Sequence, residues 1–213
     1  MTTVFLIRHG EVEGNSGAVP RFVGWSDKAL TEVGEAQAQA VAERLESEHL
    51  DAIYASDLQR ARHTAERIAA AHGLTVRCES ALREASYGLW EGLSEAEITA
   101  TWPVQWRQRM ADAVHVAPPE GECYADVWAR WQPAWQEISE RHHDQSVAIV
   151  AHNGALRILL CHLLGMPFEN FRRIHISNAG LTRIDLIFDK QEFAATPRVV
   201  VQYINETCHL KNI

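Results

Sequence analysis

Short apolar runs bounded by turn residues recur along this chain and predict strands. The first run covers residues 3–7 and is followed by two polar residues and a glycine. Runs of similar character lie at 51–55, 74–78, 146–151, 180–188 and 198–204. The first run, which is continuously apolar from Val4 to Ile7, is typical of a buried strand, and the run at 146–151 is strongly β-branched.

Between these runs, apolar residues recur at the spacing of amphipathic helices. One helix is expected from a cap at Thr31 to about Leu50, a second from a cap at Ser56 or Asp57 to Gly73, and a third from Gly154 to Leu164. The inner side of the first helix is predicted to hold Val33, Ala36, Ala40, Val41 and Leu45. Strands that alternate with helices predict an α/β fold with three layers, α/β/α, and a mainly parallel central sheet.

The interval from about 88 to 142 departs from this alternation. Two helices and no strand are expected there, and Ser94 with Glu97 has the spacing of a capping box. Pro133 lies inside a helical pattern, which predicts a kink or a break. The interval is rich in tryptophan, with Trp102, Trp106, Trp128, Trp131 and Trp135. We interpret it as a helical insert in one domain spanning 1–213, and its tryptophans either pack the insert onto the sheet or form a lid over a site.

Composition and charge narrow the range of functions. The 213 residues are enough for one sizeable core, and no apolar stretch is long enough to span a bilayer. The four cysteines lie far apart, which favours reduced thiols in a cytoplasmic protein, and no metal or other cofactor is expected. The net charge is −8 without a basic stripe, so neither nucleic acid nor a membrane is an expected partner. The insert or an edge strand could mediate a homodimer, and the oligomeric state stays open.

The first candidate for chemistry is the sequence Arg8-His9-Gly10-Glu11, directly after the first predicted strand. Neutral histidine is a nucleophile, and arginine matches a fork of anionic oxygens. Together they indicate covalent phosphoryl chemistry on His9. The alternative is a loop histidine beside a solvated arginine, and the tetrapeptide alone does not decide between them.

Three further polar segments follow predicted strands, at 56–65, 82–92 and 151–157. Because the carboxyl ends of parallel strands share one edge of a sheet, we expect their Arg60, Glu84 and His152 to converge with His9. Taken singly, Arg60 could be a charge on a helix face, Glu84 a surface partner of Arg83, and His152 a core histidine. Four such residues at one edge favour a site.

Together these segments resemble the histidine phosphatase superfamily, which includes phosphoglycerate mutases and many phosphomonoesterases. The motifs are R-H-G-E, S-x-L-x-R-A-x-x-T-A, L-R-E-x-x-x-G-x-W-E-G and a late H-x-G-x-x-R, in a resemblance that spans about residues 4–205. Four spaced motifs in order are a specific signature. The resemblance implies a histidine acid-type phosphatase that hydrolyses small phosphomonoesters without a metal.

The resemblance also implies roles for individual residues. His9 matches the nucleophile that becomes phosphohistidine, and Glu84 matches the proton donor. The residues that match contacts to the phosphoryl group are Arg8, Asn15, Arg60 and His152. For this chemistry His9 must be neutral and needs an acceptor for its second ring nitrogen. Glu84 must begin as the acid, so we expect its surroundings to favour the neutral form.

Some positions depart from the mutase pattern. Val12 and Gly14 stand where mutases usually have serine and tryptophan, and Asn153 stands where many relatives have glycine. The loss of a hydroxyl at Val12 favours a phosphatase. A cofactor-dependent phosphoglycerate mutase is the first alternative, and a non-catalytic phosphate-binding or interaction protein is the second.

Substrate contacts are predicted from residues that flank the motifs, namely Phe22, Trp25, Tyr87, Trp90 and Asn153. The resemblance implies that Tyr87 corresponds to a tyrosine that touches substrate in mutases. Arg107 and Arg109 follow Trp106 in the insert, where mutases place arginines that hold a substrate carboxylate. Solvated helix charges are the alternative for these two arginines.

Overall fold

Six strands form one sheet in the computed structural model, which describes residues 1–14, 19–188, 197–211 and 213. The strands are β1 (Thr2–Arg8), β2 (Ala52–Ala55), β3 (Val76–Cys78), β4 (Ser146–Ala151), β5 (Leu181–Ile187) and β6 (Arg198–Glu206). Their order across the sheet is β3-β2-β4-β1-β5-β6. The pairs among β1 to β4 are parallel, and β5 pairs antiparallel with β1 and with β6. The mainly parallel sheet predicted from the sequence is confirmed.

Six α-helices lie in the same described ranges and cover both faces of the sheet. They are α1 (Glu32–Leu45), α2 (Gln59–His72), α3 (Glu95–Thr101), α4 (Pro103–Ala111), α5 (Tyr124–Arg141) and α6 (Asn153–Leu163). Successive side chains of a strand point to opposite faces. Val4 and Leu6 of β1 therefore pack with residues of α5 and α6, whereas Phe5 and Ile7 pack with residues of α1 and α2. The result is the predicted arrangement of three layers.

The register of the parallel strands brings their carboxyl ends level. Arg8, the last residue of β1, lies opposite Ala151, the last residue of β4. His9 and His152 are the next residues of the chain, and their ring centroids lie 5.0 Å apart. Residues that are distant in sequence therefore meet at this edge of the sheet.

The predicted helix starts are confirmed at α1 and α3. The hydroxyl of Thr31 caps α1 by accepting a hydrogen bond from the backbone N–H of Gly34 at 3.0 Å. Ser94 and Glu97 form the expected capping box at the start of α3. Helix α1 ends at Leu45, earlier than expected.

No helix in the described part of the chain combines the length and apolar character needed to cross a membrane.

The start of α2 was predicted wrongly. Neither Ser56 nor Asp57 caps this helix. The backbone N–H of Gln59 instead donates to the carboxylate of Asp27 at 2.7 Å, and Asp57 is engaged by Arg83. A residue far back in the chain therefore supplies the cap, and a search for local capping patterns cannot find it.

The insert contains three α-helices instead of the expected two. Helix α3 ends before Trp102, and Pro103 is the first residue of α4. Proline at the first position of a helix loses no internal hydrogen bond, so it can begin a new helix. Pro133 lies inside the continuous helix α5, and the predicted break there is wrong. Trp131 and Trp135, both buried, hold α5 against the core on either side of Pro133.

The buried face of α1 differs from the prediction. The predicted inner residues that are exposed or half-buried are Val33, Ala36 and Ala40. Gly34 is buried instead, because it packs against the backbone of Gly10 and Glu11, directly after His9. A Cβ atom on Gly34 would collide with the carbonyl group of Glu11. This close approach of two backbones fixes which side of α1 faces the core.

Gly34→Ala should lower the free energy of unfolding, although alanine is the better helix former by about 1 kcal/mol. The added methyl group forces the backbones apart, at a cost of about 1–3 kcal/mol. Urea denaturation followed by circular dichroism measures the difference.

Ala36→Gly, at an exposed position of the same helix, is the matched control and should cost about 1 kcal/mol through helix propensity alone. A more stable Gly34→Ala protein would contradict the proposed contact between α1 and the loop after β1.

Candidate active site

The candidate residues of four segments meet where β1, β2 and β4 end. Arg8 ends β1 and His9 follows it, while His152 directly follows β4. Arg60 is the second residue of α2, and Glu84 lies after β3 and a short 3-10 helix. All but Arg8 are at most 8% exposed. The described structure therefore brings these five side chains to one edge of the sheet.

The hydrogen bonds of His9 define its tautomer. Its Nδ1 lies 2.6 Å from the carbonyl oxygen of Gly10, which can only accept a hydrogen bond. Nδ1 therefore carries the proton. Nε2 keeps its lone pair and accepts a hydrogen bond from Nε of Arg60 at 3.3 Å. The second ring nitrogen thus has the acceptor that a nucleophilic histidine needs.

Burial and neighbouring charge keep both histidines neutral. Burial, followed by the charges of Arg60 and Arg8, holds the pKa of His9 well below its ordinary value of 6.5. The pKa of His152 is likewise far below this value, through burial first and Arg60 second. At neutral pH the His9 imidazole is therefore in its reactive state.

Backbone carbonyls hold the two guanidinium groups in place. Arg60 donates from Nη1 to the carbonyl of Ser26 at 2.9 Å and from Nη2 to that of Gly24 at 2.6 Å. Arg8 donates from Nη1 to the carbonyl of Ile176 at 2.8 Å. Burial lowers the pKa of each arginine to about 10, so both stay charged at neutral pH.

Several buried polar atoms at this edge have no hydrogen-bond partner among the described residues. They are Nε of Arg8, both ring nitrogens of His152, Oδ1 of Asn153 and Nε of Arg157. An unpaired buried polar group costs about 1–3 kcal/mol, so such atoms are uncommon outside ligand sites. An anionic group that accepts hydrogen bonds from the arginine and histidine nitrogens would remove this cost.

Three backbone N–H groups hold the carboxylate of Glu84. Its Oε2 accepts a hydrogen bond from Gly154 at 2.8 Å, and its Oε1 accepts from Ala155 at 3.2 Å and from Ala85 at 3.0 Å. Two of these donors belong to the first turn of α6, whose dipole attracts negative charge. These three donors fix the position of the carboxylate.

Glu84 does not form the surface ion pair with Arg83 that was the alternative. Arg83 binds Asp57 with two hydrogen bonds, at 2.7 and 2.6 Å. Glu84 turns inward, towards the start of α6. A Cβ atom on Gly154 would collide with the hydroxyl of Tyr124 and lie 2.7 Å from Oε1 of Glu84. Glycine at this position therefore allows the carboxylate to reach the helix.

A cavity of about 430 Å³ opens beside Glu84. Its wall combines aromatic rings with guanidinium groups. Phe22, Tyr87 and Asn153 line this cavity, in agreement with their predicted place beside the motifs. Arg109, Arg157 and Arg172 line it as well, and none of them forms an ion pair within the described residues.

Other predicted substrate contacts lie elsewhere. Arg107 is exposed and is not among the described residues that line the cavity, because it is on the outer side of α4. Trp25 instead donates from Nε1 to the backbone carbonyl of Glu84 at 2.7 Å. Trp90 is fully buried behind Phe22. Asn15 lies outside the described residues.

Three polar residues of the cavity wall, Tyr124, Arg157 and Arg172, were not predicted from the sequence. Arg157 closes the late H-x-G-x-x-R motif, and its spacing from His152 was the available signal. Tyr124 begins α5, and Arg172 lies in a 3-10 helix after α6. Nothing in their local sequence marks them, since only tertiary packing brings these elements to the cavity.

Some tryptophans of the insert pack onto the core, and another lines the cavity. Trp131 and Trp135 are buried in the core beneath α5. Trp106 lines the cavity and packs edge-on against Phe22, with ring centroids 5.8 Å apart.

Within the described ranges no three histidine, cysteine or acidic side chains are grouped so that they could hold a metal ion.

Known proteins resemble the chain over nearly its whole length. The family model of the histidine phosphatase superfamily (branch 1) matches residues 4–196. Phosphoserine phosphatase 1 of Hydrogenobacter thermophilus is 34% identical over 210 residues, which cover 99% of this chain and 95% of that protein. A probable phosphoglycerate mutase GpmB of Yersinia pestis is 35% identical over 211 residues, with the same coverage of 99% and 95%.

A solved structure shares the fold as well. It is a mycobacterial glucosyl-3-phosphoglycerate phosphatase in complex with VO3, which is 33% identical to this chain. The TM-score is 0.82, and the match covers 96% of this chain and 99% of that chain. The likeness therefore extends over the sheet, the helices and the edge that carries the candidate site.

The two neutral histidines should make the stability depend on pH. In the unfolded chain each takes up a proton near pH 6.5, whereas in the folded protein protonation requires a much lower pH. Their contribution is therefore complete above pH 6.5 and is lost as the pH falls below it. His9→Gln should reduce the slope of the free energy of unfolding below pH 6.5 by up to about 1.4 kcal/mol per pH unit.

Urea denaturation between pH 5 and pH 7.5 measures this slope. His175→Gln replaces an exposed histidine and should keep the slope of the unmodified protein. An unchanged slope in His9→Gln would show that His9 is not held neutral by the fold.

Proposed function

Because this chain belongs to the histidine phosphatase superfamily, we propose that it hydrolyses small phosphomonoesters through a phosphohistidine intermediate on His9. The state of the His9 ring carries this proposal. The imidazole is buried and neutral, and its Nδ1–H donates to the carbonyl of Gly10 at 2.6 Å. Its Nε2 therefore keeps an unprotonated lone pair, which can attack phosphorus when the hydrogen bond from Arg60 passes to the phosphoryl oxygens.

In the first step, Nε2 of His9 forms a bond to phosphorus in line with the ester oxygen, and the bond from phosphorus to that oxygen breaks. Arg8, Arg60 and His152 are proposed to donate hydrogen bonds to the equatorial oxygens, where negative charge is concentrated. Arg60 Nε already lies 3.3 Å from Nε2 of His9, which supports this placement. The leaving oxygen takes a proton from Glu84.

The proposed cycle requires Glu84 to carry the proton when the ester binds. After it has protonated the leaving oxygen, the carboxylate removes a proton from the water that attacks phosphorus. This second step releases inorganic phosphate and restores neutral His9. The nucleophilic His9 and the carboxylic acid Glu84 together support the assignment to the acid-type histidine phosphatases.

The cavity supports a substrate that carries a second acidic group. Arg109, Arg157 and Arg172 line it without acidic partners among the described residues, although the chain has a net charge of −8. Nε of Arg157 is buried and unpartnered. Phosphoserine and glucosyl-3-phosphoglycerate, which occur in the names of two relatives, each contain a carboxylate besides the phosphate. We propose small phosphorylated carboxylic acids as the substrate class.

A phosphoglycerate mutase is the second candidate, because one relative bears that name at 35% identity. A mutase would return the phosphoryl group from His9 to the substrate instead of passing it to water. Val12, in place of the serine usual in mutases, is fully buried against the core and offers no hydroxyl to the site. Fast isomerisation of 3-phosphoglycerate in the presence of bisphosphoglycerate, with little release of phosphate, would favour the mutase.

His9→Ala should lower the turnover of p-nitrophenyl phosphate by a factor on the order of 10⁴ or more, because the nucleophile is lost. The unmodified protein, quenched in alkali during turnover of a ³²P-labelled ester, should carry an acid-labile and base-stable label on His9. Phosphate release and mass spectrometry of the labelled peptide measure the two effects.

His175→Ala, at an exposed position, is the control and should keep both turnover and label. Full turnover by His9→Ala would refute the covalent mechanism. An unmodified protein that is inert towards a broad set of phosphomonoesters would favour a non-catalytic phosphate-binding protein.

Arg157→Gln should lower kcat/KM for 3-phosphoglycerate by about 10- to 100-fold, because a charge-assisted hydrogen bond to the carboxylate is lost. The value for glycerol 3-phosphate, which lacks the carboxylate, should change much less. Steady-state release of phosphate from the two esters measures the difference.

Arg107→Gln, on the exposed side of α4, should leave both values unchanged. An equal loss for the two esters in Arg157→Gln would place Arg157 at the transferred phosphate and would contradict a second anion site.

A further inference from the structure

We propose that Arg130, which lies on α5 outside the cavity, is a positioning residue that sets the carboxylate of Glu84 for proton transfer. This inference rests on the proposed function, since it concerns the group that protonates the leaving oxygen. It assigns a role in the reaction to a residue that does not reach the substrate.

All five N–H groups of the Arg130 guanidinium donate hydrogen bonds to partners in the protein. Nη1 donates to the carbonyls of Ala81 at 2.7 Å and Arg83 at 2.8 Å, and Nη2 donates to the carbonyl of Glu84 at 2.7 Å. Nε and Nη2 donate to the two carboxylate oxygens of Glu122, each at 3.0 Å. No donor remains for a substrate, so the hydrogen bonds of Arg130 act on Glu84 through the chain segment that they bind.

A second donor holds the same segment from the opposite side. Nε1 of Trp25 donates to the backbone carbonyl of Glu84 at 2.7 Å, as Arg130 does. One carbonyl oxygen has two lone pairs, and these two donors occupy both. The backbone of Glu84 is thus fixed by Trp25 and Arg130, while its carboxylate is fixed by Gly154 and Ala155 at the start of α6.

Glu122 connects Arg130 to the other end of the segment. Its Oε2 accepts a hydrogen bond from the backbone N–H of Ser86 at 2.9 Å, and its own backbone N–H donates to the carbonyl of Ser86 at 2.8 Å. The ion pair between Arg130 and Glu122 therefore spans residues 81–86, with Glu84 between its contacts. The geometry gives this pair control over the direction of the Glu84 side chain.

Loss of the guanidinium would leave the carbonyls of Ala81 and Arg83 without this donor and that of Glu84 with Trp25 alone, and would free the segment to move. A displacement of about 1 Å in a catalytic group can cost about 10²-fold in rate. The loss falls on substrates whose leaving group needs a proton. An activated leaving group such as p-nitrophenolate departs without one, so its rate depends little on where Glu84 lies.

The test compares Arg130→Lys with the unmodified protein over a series of aryl and alkyl phosphates with leaving groups of increasing pKa. The quantity measured is kcat/KM, which reports the transfer to His9. We expect a loss of less than about 5-fold for p-nitrophenyl phosphate and of about 10- to 100-fold for alkyl phosphates. The plot of log kcat/KM against leaving-group pKa should therefore become steeper.

Arg44→Lys is the matched control, because Arg44 also forms a two-pronged pair, with Glu206 at 3.0 Å for both contacts, and does not touch the Glu84 segment. It should leave the slope unchanged. Glu122→Gln is a second variant with a milder expected steepening, and it decides the question if Arg130→Lys does not fold.

An equal loss for all leaving groups, or no loss, in the folded variants overturns the role of Arg130. This failure is distinguishable from failure of the proposed function. If the unmodified protein hydrolyses p-nitrophenyl phosphate and depends on His9, the proposed function stands whatever the slope in the Arg130 variants. If the unmodified protein is inert towards the whole series, both are overturned.

Discussion

Parallel pairing of β1 with β4 is the constraint on which the candidate site depends. It places the end of one strand opposite the end of the other, so that two histidines separated by most of the chain stand with their ring centroids 5.0 Å apart. Everything else at the edge is arranged around that pair. Helix α2 brings Arg60 to Nε2 of His9, and α6 points its first N–H groups at Glu84. A shift of one residue in this pairing would move His9 away from both.

The site concentrates positive charge in a protein that is acidic overall. Arg60 is buried and Arg8 half-buried, and both donate to carbonyl oxygens, which orient a guanidinium without neutralising it. Their charge therefore remains available to a phosphoryl group, and in a buried setting it acts more strongly than it would in water. Burial and then these same charges lower the pKa of His9 and keep it unprotonated, so one arrangement serves both the anion and the nucleophile.

Much of the fold could be predicted from the sequence, because apolar periodicity reports which segments are buried. The strand at 146–151 was predicted with the bounds that the structure has. The parts that could not be predicted depend on contacts over long distances. Asp27 caps α2 from 32 positions away. Gly34 contacts the loop after His9 and thereby determines which side of α1 faces the core. At the site, the motifs identified the residues brought to the sheet edge, whereas Arg172 and Tyr124 reach the cavity only through packing.

The sheet edge around His9 and the cavity beside Glu84 are formed by different parts of the chain. Around Arg8 and Arg60 the acceptors are peptide carbonyls, and the donors to Glu84 are peptide N–H groups, so these contacts are made by the backbone and not by side chains. The cavity wall contains Glu84 but also includes side chains of the insert, such as Trp106 and Arg109, and of the segment after α6, such as Arg172. Replacement of those side chains can therefore redirect the protein to another organic group while the reactive centre keeps its shape. Such a division allows one fold to bind different substrates while the residues that carry out the reaction stay the same.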